Sequence, residues 1–230
     1  MKIMFKRVGV DMGAGGRLSP IFPGSYFRFV TMPCHFDPEL YYRYTYGDAL
    51  QSIRGKHHKN PTATPLEKLG KGDVLVFYAG FRPEGGWGKQ LIGIFAYIFI
   101  ERLFFVSHKD SIAREFPNSK TNDFQKMGGS HREYQVFLRE FRGWNPHADP
   151  ENASWSKKVD HIFVCGNERR SRMLSKVEIL TEINKDGKYR LSGKVASRWG
   201  LKPDDHTRNM PRSVEESAVE KVWTRLQRLQ

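Results

Sequence analysis

The chain has 230 residues, and its 38 lysines and arginines exceed its 25 aspartates and glutamates to give a net charge of +13. Hydrophobic residues make up 39% of the chain and aromatic residues 13%, which is enough apolar surface to form a core and excludes global disorder. A positive surplus of this size concentrates polyanions around a protein, so we expect nucleic acid or a nucleotide as its partner. The alternative is that the charge serves solubility alone.

The sequence predicts neither a membrane segment nor a metal centre. The longest apolar run, 91–100, is about half the length that crosses a bilayer, and the N-terminus lacks the pattern of a signal peptide. Cys34 and Cys165 stand outside any CxxC pair, and the histidines show no HExxH or HxH spacing. We therefore expect a cytoplasmic protein with no metal and no cofactor.

The N-terminal half is predicted to be mostly β structure. A strand over 2–8 leads into a glycine-rich loop, and a second strand covers the aromatic segment 26–32. Residues 33–72 are expected to be irregular, apart from a short helix near their end. After a turn at Gly72-Asp73, residues 74–106 contain two long apolar segments that predict an antiparallel hairpin, with Gly93 marking a bulge or a close approach.

The C-terminal half combines strands and helices. Residues 107–130 are polar and predicted to be helical only in part. Residues 131–141 fit either a strand or a helix, although their aromatic residues recur at helical spacing. Short strands are expected at 161–165 and 174–180.

The clearest helix lies at the C-terminus. Ser213 and Glu216 have the spacing of a capping box, and the apolar positions of 219–226 form one stripe. Because no internal repeat, low-complexity tract or linker interrupts the chain, we expect a single α+β domain over residues 1–230.

Four polar residues near the first two strands are candidates for a site. Asp11 and Ser19 flank the glycine-rich loop, and His35 and Asp37 follow the second strand. His35 could act as a general base, and Asp37 could orient it or bind a sugar hydroxyl. The loop matches neither a Walker A motif nor a dinucleotide fingerprint, and on residue types alone ordinary turn chemistry is the favoured explanation of all four residues.

Aromatic residues beside an arginine are candidates for contact with a base. Phe81, Arg82 and Trp87 fall in or near a loop, where aromatic faces stack on bases and arginine binds phosphate or a guanine edge. Tyr41, Tyr42 and Tyr44 belong to the same set of candidates. Core packing is the competing interpretation, and for Cys165, near His161, a buried thiol is the favoured interpretation.

Two stretches resemble a known family. The first runs through the opening residues Asp11, Gly15-Gly16, Ser19-Pro20-Ile21, Gly24, Pro33, His35 and Asp37-Pro38. The second is the Gly72-Asp73 turn and the strand that ends at Phe81-Arg82, followed by Leu91-Ile92-Gly93-Ile94-Phe95. Both are similar to the third of the nucleotide modification associated domain families, found near DNA-base hypermodification genes. The resemblance implies candidate site residues at Asp11, Ser19, His35, Asp37, Asp73 and Arg82.

A further resemblance concerns the fold. A Gly-Asp turn that feeds an apolar strand, followed by Gly-Ile in the next strand, is similar to PUA-type barrels such as the YTH, EVE and ASCH groups, which bind modified or flipped bases. This implies an α+β fold with a mixed or antiparallel, barrel-like sheet, flanking helices and a C-terminal helix. In such barrels the Gly-Asp turn is structural, so Asp73 is expected to form the turn.

Three functions follow from the sequence. The first is recognition or processing of a nucleobase, modified or not, in a nucleotide or in nucleic acid. The second is an enzyme in which His35 and Asp37 carry out acid–base chemistry on a nucleotide. The third is a basic interaction protein without base preference, which predicts equal binding to any polyanion and a steep dependence on salt.

Overall fold

The computed structural model describes residues 1–8, 27–29, 40, 43–50, 64–83, 91–116, 128–143, 145, 148, 160–182, 191–203 and 211–229. For 27–29, 64, 81–83 and 181–182 it describes the backbone alone. The strands are β1 (Ile3–Arg7), β2 (Phe27–Phe29), β3 (Thr45–Ala49), β4 (Val74–Pro83), β5 (Leu91–Ser107), β6 (Ile112–Glu115), β7 (Asp160–Gly166), β8 (Arg172–Glu182) and β9 (Arg212–Ser213). The helices are α1 (His131–Phe141), α2 (Gly193–Arg198) and α3 (Val219–Gln227), and Thr64–Lys68 and Glu216–Ala218 are 3-10 helices.

The chain divides into two compact units. Unit 1 comprises Met1–Phe36, Val74–Tyr97 and Arg172–Gln230, and unit 2 comprises Asp37–Asp73 and Ile98–Ser171. The strands are mostly antiparallel, with β1 and β4 as a parallel pair, and the described strands do not close into a barrel. A mixed, largely antiparallel α+β fold with a C-terminal helix is therefore confirmed, whereas the PUA-like barrel is not.

The sheet of unit 1 is built on β4. Its apolar residues are buried, and it lies between β1 and the first part of β5, while β9 pairs with β1 and β8 pairs with β5. β2 pairs with the last residues of β4. Because strands buried on both faces lack polar alternation, the continuous run Val74–Ala79 is the expected signature of this central position.

Two short helices complete unit 1. Ser192 caps α2 by accepting a hydrogen bond from the Val195 N–H at 3.3 Å. The apolar stripe of α3 is buried at Val222, Trp223 and Leu226, as its helical spacing predicted. The ring of Trp223 meets Tyr97 of β5 edge to face at 5.7 Å, which fixes α3 against the sheet of this unit.

Unit 2 pairs a small sheet with α1. In this unit β7 lies between β3 and the second part of β5, and β6 pairs with β5. Ser130 caps α1, because its Oγ accepts from the Glu133 N–H at 3.1 Å. Phe137 of the helix packs against Phe163 of β7, with ring centroids 4.7 Å apart. The helical interpretation of 131–141 is thus confirmed.

Three sequence-based expectations were wrong. Residues 112–115 form a strand, because they pair with the end of β5. Residues 45–49 also form a strand, because β7 supplies backbone partners more than one hundred residues along the chain. The predicted capping box is absent: Ser213 lies in β9, and Ala218 begins α3 without a side-chain cap.

Two local predictions were right. Asp73 is a turn residue, since its Oδ2 accepts a hydrogen bond from the Gly70 N–H at 2.9 Å within a buried turn in which Gly72 has a φ of +87°. Gly93 marks a shift in the pairing of β5 with β8, and a Cβ there would meet the side chain of Val177. Within the described part of the chain, every helix is too short or too polar to span a bilayer.

Candidate functional site: an arginine-bearing face of unit 1

Most of the candidate residues predicted from sequence lie outside the described residues. This holds for Asp11, Ser19, His35, Asp37 and Trp87, and also for Tyr41, Tyr42 and Cys34. The backbone places Phe81 and Arg82 in the last part of β4 rather than in a loop, where β2 pairs with them. Of the residues in the predicted site, the structure therefore describes the two at the end of β4, Phe81 and Arg82.

The parallel pairing of β1 and β4 brings their carboxyl ends to the same edge of the sheet. The last pairing is Arg7 with Tyr78, and the Val8 N–H then donates to the Tyr78 carbonyl at 3.1 Å. The next described residue along the chain is Phe27, which pairs with Pro83 of the same strand. Val8 and Phe27, the described residues that flank 9–26 in the sequence, are thus both bound to the last part of β4.

The strand pairing places two arginines directly opposite each other. Arg28 of β2 is the register partner of Arg82 of β4 in an antiparallel ladder. Residues paired in this way lie on the same face of a sheet, and like charges at such positions are unfavourable. The pairing therefore concentrates positive charge at the end of β4, and arginine is a residue type that binds phosphate through charge-assisted hydrogen bonds.

Strand alternation adds two more arginines to the same face. Arg7 is the partner of Tyr78, and Tyr78 lies four residues before Arg82, so all three share one face of β1 and β4. Arg212 of β9 is the partner of Phe5, two residues before Arg7, and joins them. Here the arginine face denotes Arg7, Arg28, Arg82 and Arg212. The described positions of β1, β2, β4 and β9 on this face include no acidic residue.

Aromatic side chains cover part of this face. Phe5 is fully buried, and its ring lies 6.5 Å from that of Tyr78 and 5.9 Å from that of Trp199, which ends α2. The guanidinium of Arg225 in α3 lies over the Trp199 ring at 5.6 Å. These contacts cover the amino-terminal part of the face with helices. Arg7 and the Arg28–Arg82 pair lie closer to the carboxyl ends of β1 and β4 than the aromatic residues do.

Unit 2 contains a separate polar cluster that the sequence analysis missed. His108 and His161 are buried, with ring centroids 5.5 Å apart, and His108 Nδ1 lies 3.0 Å from the hydroxyl oxygen of buried Tyr134. Burial raises the pKa of Tyr134, so this phenol stays protonated. The three residues are far apart in sequence and only β7 and α1 bring them together. Since phenylalanines enclose them, their first role is packing.

The remaining sequence candidates have structural roles. Tyr44 has a φ of +48° and directly precedes β3. Its carbonyl accepts a hydrogen bond from the Gly166 N–H at 2.9 Å, and this bond aligns the start of β3 with the end of β7. Cys165 is a free thiol whose pKa is raised to about 11, first because burial disfavours the thiolate. Its side chain packs against the core of unit 2 but is partly buried, rather than fully buried as predicted. Among the described residues, no group of three acidic, histidine or cysteine side chains is arranged to hold a metal ion.

The chain belongs to the family described as nucleotide modification associated domain 3, whose sequence model matches residues 28–224. The resemblance noted in the sequence is thereby confirmed, and the description links the protein to nucleotide modification. The match includes Arg28, Arg82, His35 and Asp37, whereas Asp11 precedes it. Comparison with curated proteins and with solved structures gave no match.

Proposed function

We propose that this protein binds a nucleotide or nucleic acid through the arginine face, in the cytoplasm, and recognises or processes a nucleobase there. The family description supplies the link to nucleotide modification. The observation that carries the proposal is the pairing of Arg28 with Arg82. Two arginines at paired backbone positions, with no acidic residue on the described strands of that face, suit a phosphate.

The rest of the proposed site comes from sequence. His35 and Asp37 read or act on the base or sugar, and Trp87 stacks on it, as in the base-binding PUA-type folds. Position 81 precedes Arg82 in β4 and so falls on the other face of the strand, where Phe81 would serve only a base bound on that side. Asp11 and Ser19 stand in the sequence between Val8 and Phe27, which bind β4 at Tyr78 and at Pro83, and this supports grouping them with the arginine pair.

Two other functions remain as alternatives to a module that only recognises a base: an enzyme and a basic interaction protein. If the protein is an enzyme, replacement of His35 or Asp37 abolishes turnover and leaves binding intact, whereas in a binding module it weakens binding. If the protein is a basic interaction protein, it binds heparin and nucleic acid equally well. The arginine pair favours specific phosphate binding over the last function, because it is a localised arrangement rather than a diffuse charge.

The test is a binding panel on wild type, Arg82→Ala and Arg28→Ala. Nucleoside monophosphates and short oligonucleotides, with unmodified and modified bases, are titrated at two salt concentrations. Loss of one charge-assisted hydrogen-bonding group is expected to weaken binding by about 10- to 100-fold. Arg132→Ala removes an exposed arginine of α1 in unit 2 and is the matched control, with no expected change.

Thermal melting separates a binding role from a structural one. Because the two arginines repel each other, each alanine variant is expected to melt at or slightly above the wild-type temperature without ligand, and to gain less stability from ligand. The double variant is expected to lose less affinity than the sum of the single losses, since both residues contact one phosphate. Unfolding of Arg82→Ala, or wild-type binding by both variants, would show that the proposed site is wrong.

A further inference from the structure

Helix α3 carries a basic concavity that the proposed site does not include. It has a volume of about 410 Å³ and is lined by Glu220, Lys221, Thr224 and Arg225 of the helix and by Arg228 and Leu229, which follow its last residue. Three of these six residues are cationic and one is acidic. The buried stripe of α3 points elsewhere, so the concavity lies on a different part of the helix surface.

The spacing of the three cations is unfavourable unless an anion is present. Lys221 and Arg225 are four residues apart, and Arg225 and Arg228 are three apart, so that like charges are neighbours along one side of the helix. Among the described residues none of the three forms an ion pair with a carboxylate. The helix dipole favours Arg225 and Arg228 near the carboxyl end, but it disfavours Lys221 in the first turn. Stabilisation of the helix therefore does not explain why all three cations, Lys221, Arg225 and Arg228, are present.

Arg225 is held in place by an aromatic side chain. Its guanidinium lies over the Trp199 ring at 5.6 Å, and its Nε is buried, so the charge that it offers to a ligand comes from the remainder of the guanidinium. An arginine fixed by an aromatic ring loses little freedom when it binds an anion. The concavity thus contains an oriented donor group beside two further cations.

The distance from this concavity to the arginine pair decides what kind of ligand could reach both. The Arg225 guanidinium lies over Trp199, and Trp199 contacts Phe5, whose register partner is Val76. Arg82 lies six residues beyond Val76 on β4, which at about 3.3 Å per residue is on the order of 20 Å. A mononucleotide is too short for that span, whereas about six nucleotides of a strand cover it.

We propose that the concavity on α3 binds a backbone phosphate of a polynucleotide whose base is held at the arginine face. The inference rests on the proposed function and makes it more specific, since it names a nucleic-acid strand rather than a free nucleotide as the ligand. Lys221 and Arg228 contribute charge at the rim of the concavity, and Arg225 contributes an oriented guanidinium.

The experiment compares a labelled oligonucleotide of about 20 nucleotides with a nucleoside monophosphate, across a series of salt concentrations. The variants are Lys221→Gln and Arg228→Gln, both at exposed positions, and the control is Lys194→Gln on α2 of the same unit. Each test variant is expected to reduce the slope of log K against log salt by about 0.7 for a single strand, because one phosphate contact is lost. Mononucleotide affinity is expected to stay at the wild-type value.

The outcomes separate this inference from the proposed function. Weaker oligonucleotide binding by Arg228→Gln together with wild-type binding by Arg82→Ala supports a phosphate site in the concavity, rejects the arginine face, and overturns the proposal that one strand occupies both. Wild-type salt slopes in both glutamine variants overturn the concavity, and the arginine face then stands on its own test. Heparin binding as tight as oligonucleotide binding, with the same slope changes, also overturns the nucleic-acid assignment, as does binding of neither probe.

Discussion

Arg102 and Glu115 form a two-pronged salt bridge between the paired strands β5 and β6, with N–O distances of 2.7 and 2.8 Å. The Arg102 guanidinium also lies 3.4 Å from the carboxylate of Glu140 in α1, so one side chain connects three elements of unit 2. The hydrogen bond to Glu115 raises the pKa of Arg102.

We expect Arg102→Lys to destabilise the protein by about 1 kcal/mol, because a lysine keeps the charge but cannot form the two parallel hydrogen bonds. The side chains of Arg102 and Glu115 are 26% and 37% exposed, and solvent screening keeps the loss small. Urea unfolding measures it. Arg139→Lys, at an exposed position of α1, is the control. Equal stability of the two variants would contradict the prediction.

The hydrogen bond between Tyr134 and His108 is expected to contribute to the free energy of unfolding. Tyr134→Phe removes the hydroxyl that lies 3.0 Å from His108 Nδ1 in a buried setting, and we expect a loss of about 1–2 kcal/mol. A double-mutant cycle with His108→Phe provides the control. Because the hydroxyl then has no imidazole to bond, Tyr134→Phe should cost less in that background. Identical losses in both backgrounds would show that the hydrogen bond contributes nothing.

Cys165 predicts a loss of stability at alkaline pH. Its pKa in the folded protein is about 11, chiefly because burial disfavours the thiolate, while an unfolded cysteine titrates near about 8.5. The folded state therefore holds its proton when the unfolded state has released it, and stability falls as pH rises between these values. At about 1.4 kcal/mol per pKa unit, the loss is at most about 3.5 kcal/mol.

The measurement for Cys165 is urea unfolding from neutral pH to the upper end of that window. In Cys165→Ala this part of the pH dependence is expected to disappear, whatever the offset caused by the smaller side chain. The same alkaline slope in the variant and the wild type would assign the effect to other groups. As an independent check, the folded thiol is expected to react slowly with a thiol reagent at mildly alkaline pH.

Replacement of Gly93 by alanine is expected to destabilise unit 1 through a steric clash. A Cβ at this position would meet the Val177 side chain and lie 3.0 Å from the Glu178 carbonyl oxygen. We expect Gly93→Ala to cost about 1–3 kcal/mol, because the backbone of β8 cannot give way without losing its pairing with β5. Gly193→Ala is the matched control, since a Cβ there meets no atom within 4 Å and the residue begins α2. Two variants of equal stability would mean that β8 shifts freely.

Local patterns in the sequence were sufficient for much of the secondary structure. The runs that became β1, β4 and β5 are apolar and rich in β-forming residues, and the helical spacing of 219–226 became α3. The turn at Gly72-Asp73 also follows from local chemistry, because it needs a glycine at positive φ and a short acceptor side chain. These features depend on neighbours in the chain.

Strands without a strong local pattern were not predictable. β3 exists because β7 pairs with it, and β6 exists because the end of β5 pairs with it. Ser213 and Glu216 have the spacing of a helix cap, but pairing with Met4 places Ser213 in a strand. In each case hydrogen bonds between distant segments outweighed local preference, which is worth only about 1 kcal/mol in strands.

By itself the sequence determined the charge and the family, and it predicted Arg82 as a site residue, since composition and motif order do not depend on how the chain folds. Only the tertiary structure decided that Arg28 stands opposite Arg82, that Arg7 and Arg212 share their face, and that Arg225 lies over Trp199. The physical reason is register: a shift of one residue moves every side chain of a strand to the other face, and the pairing that sets the register joins segments far apart in the chain.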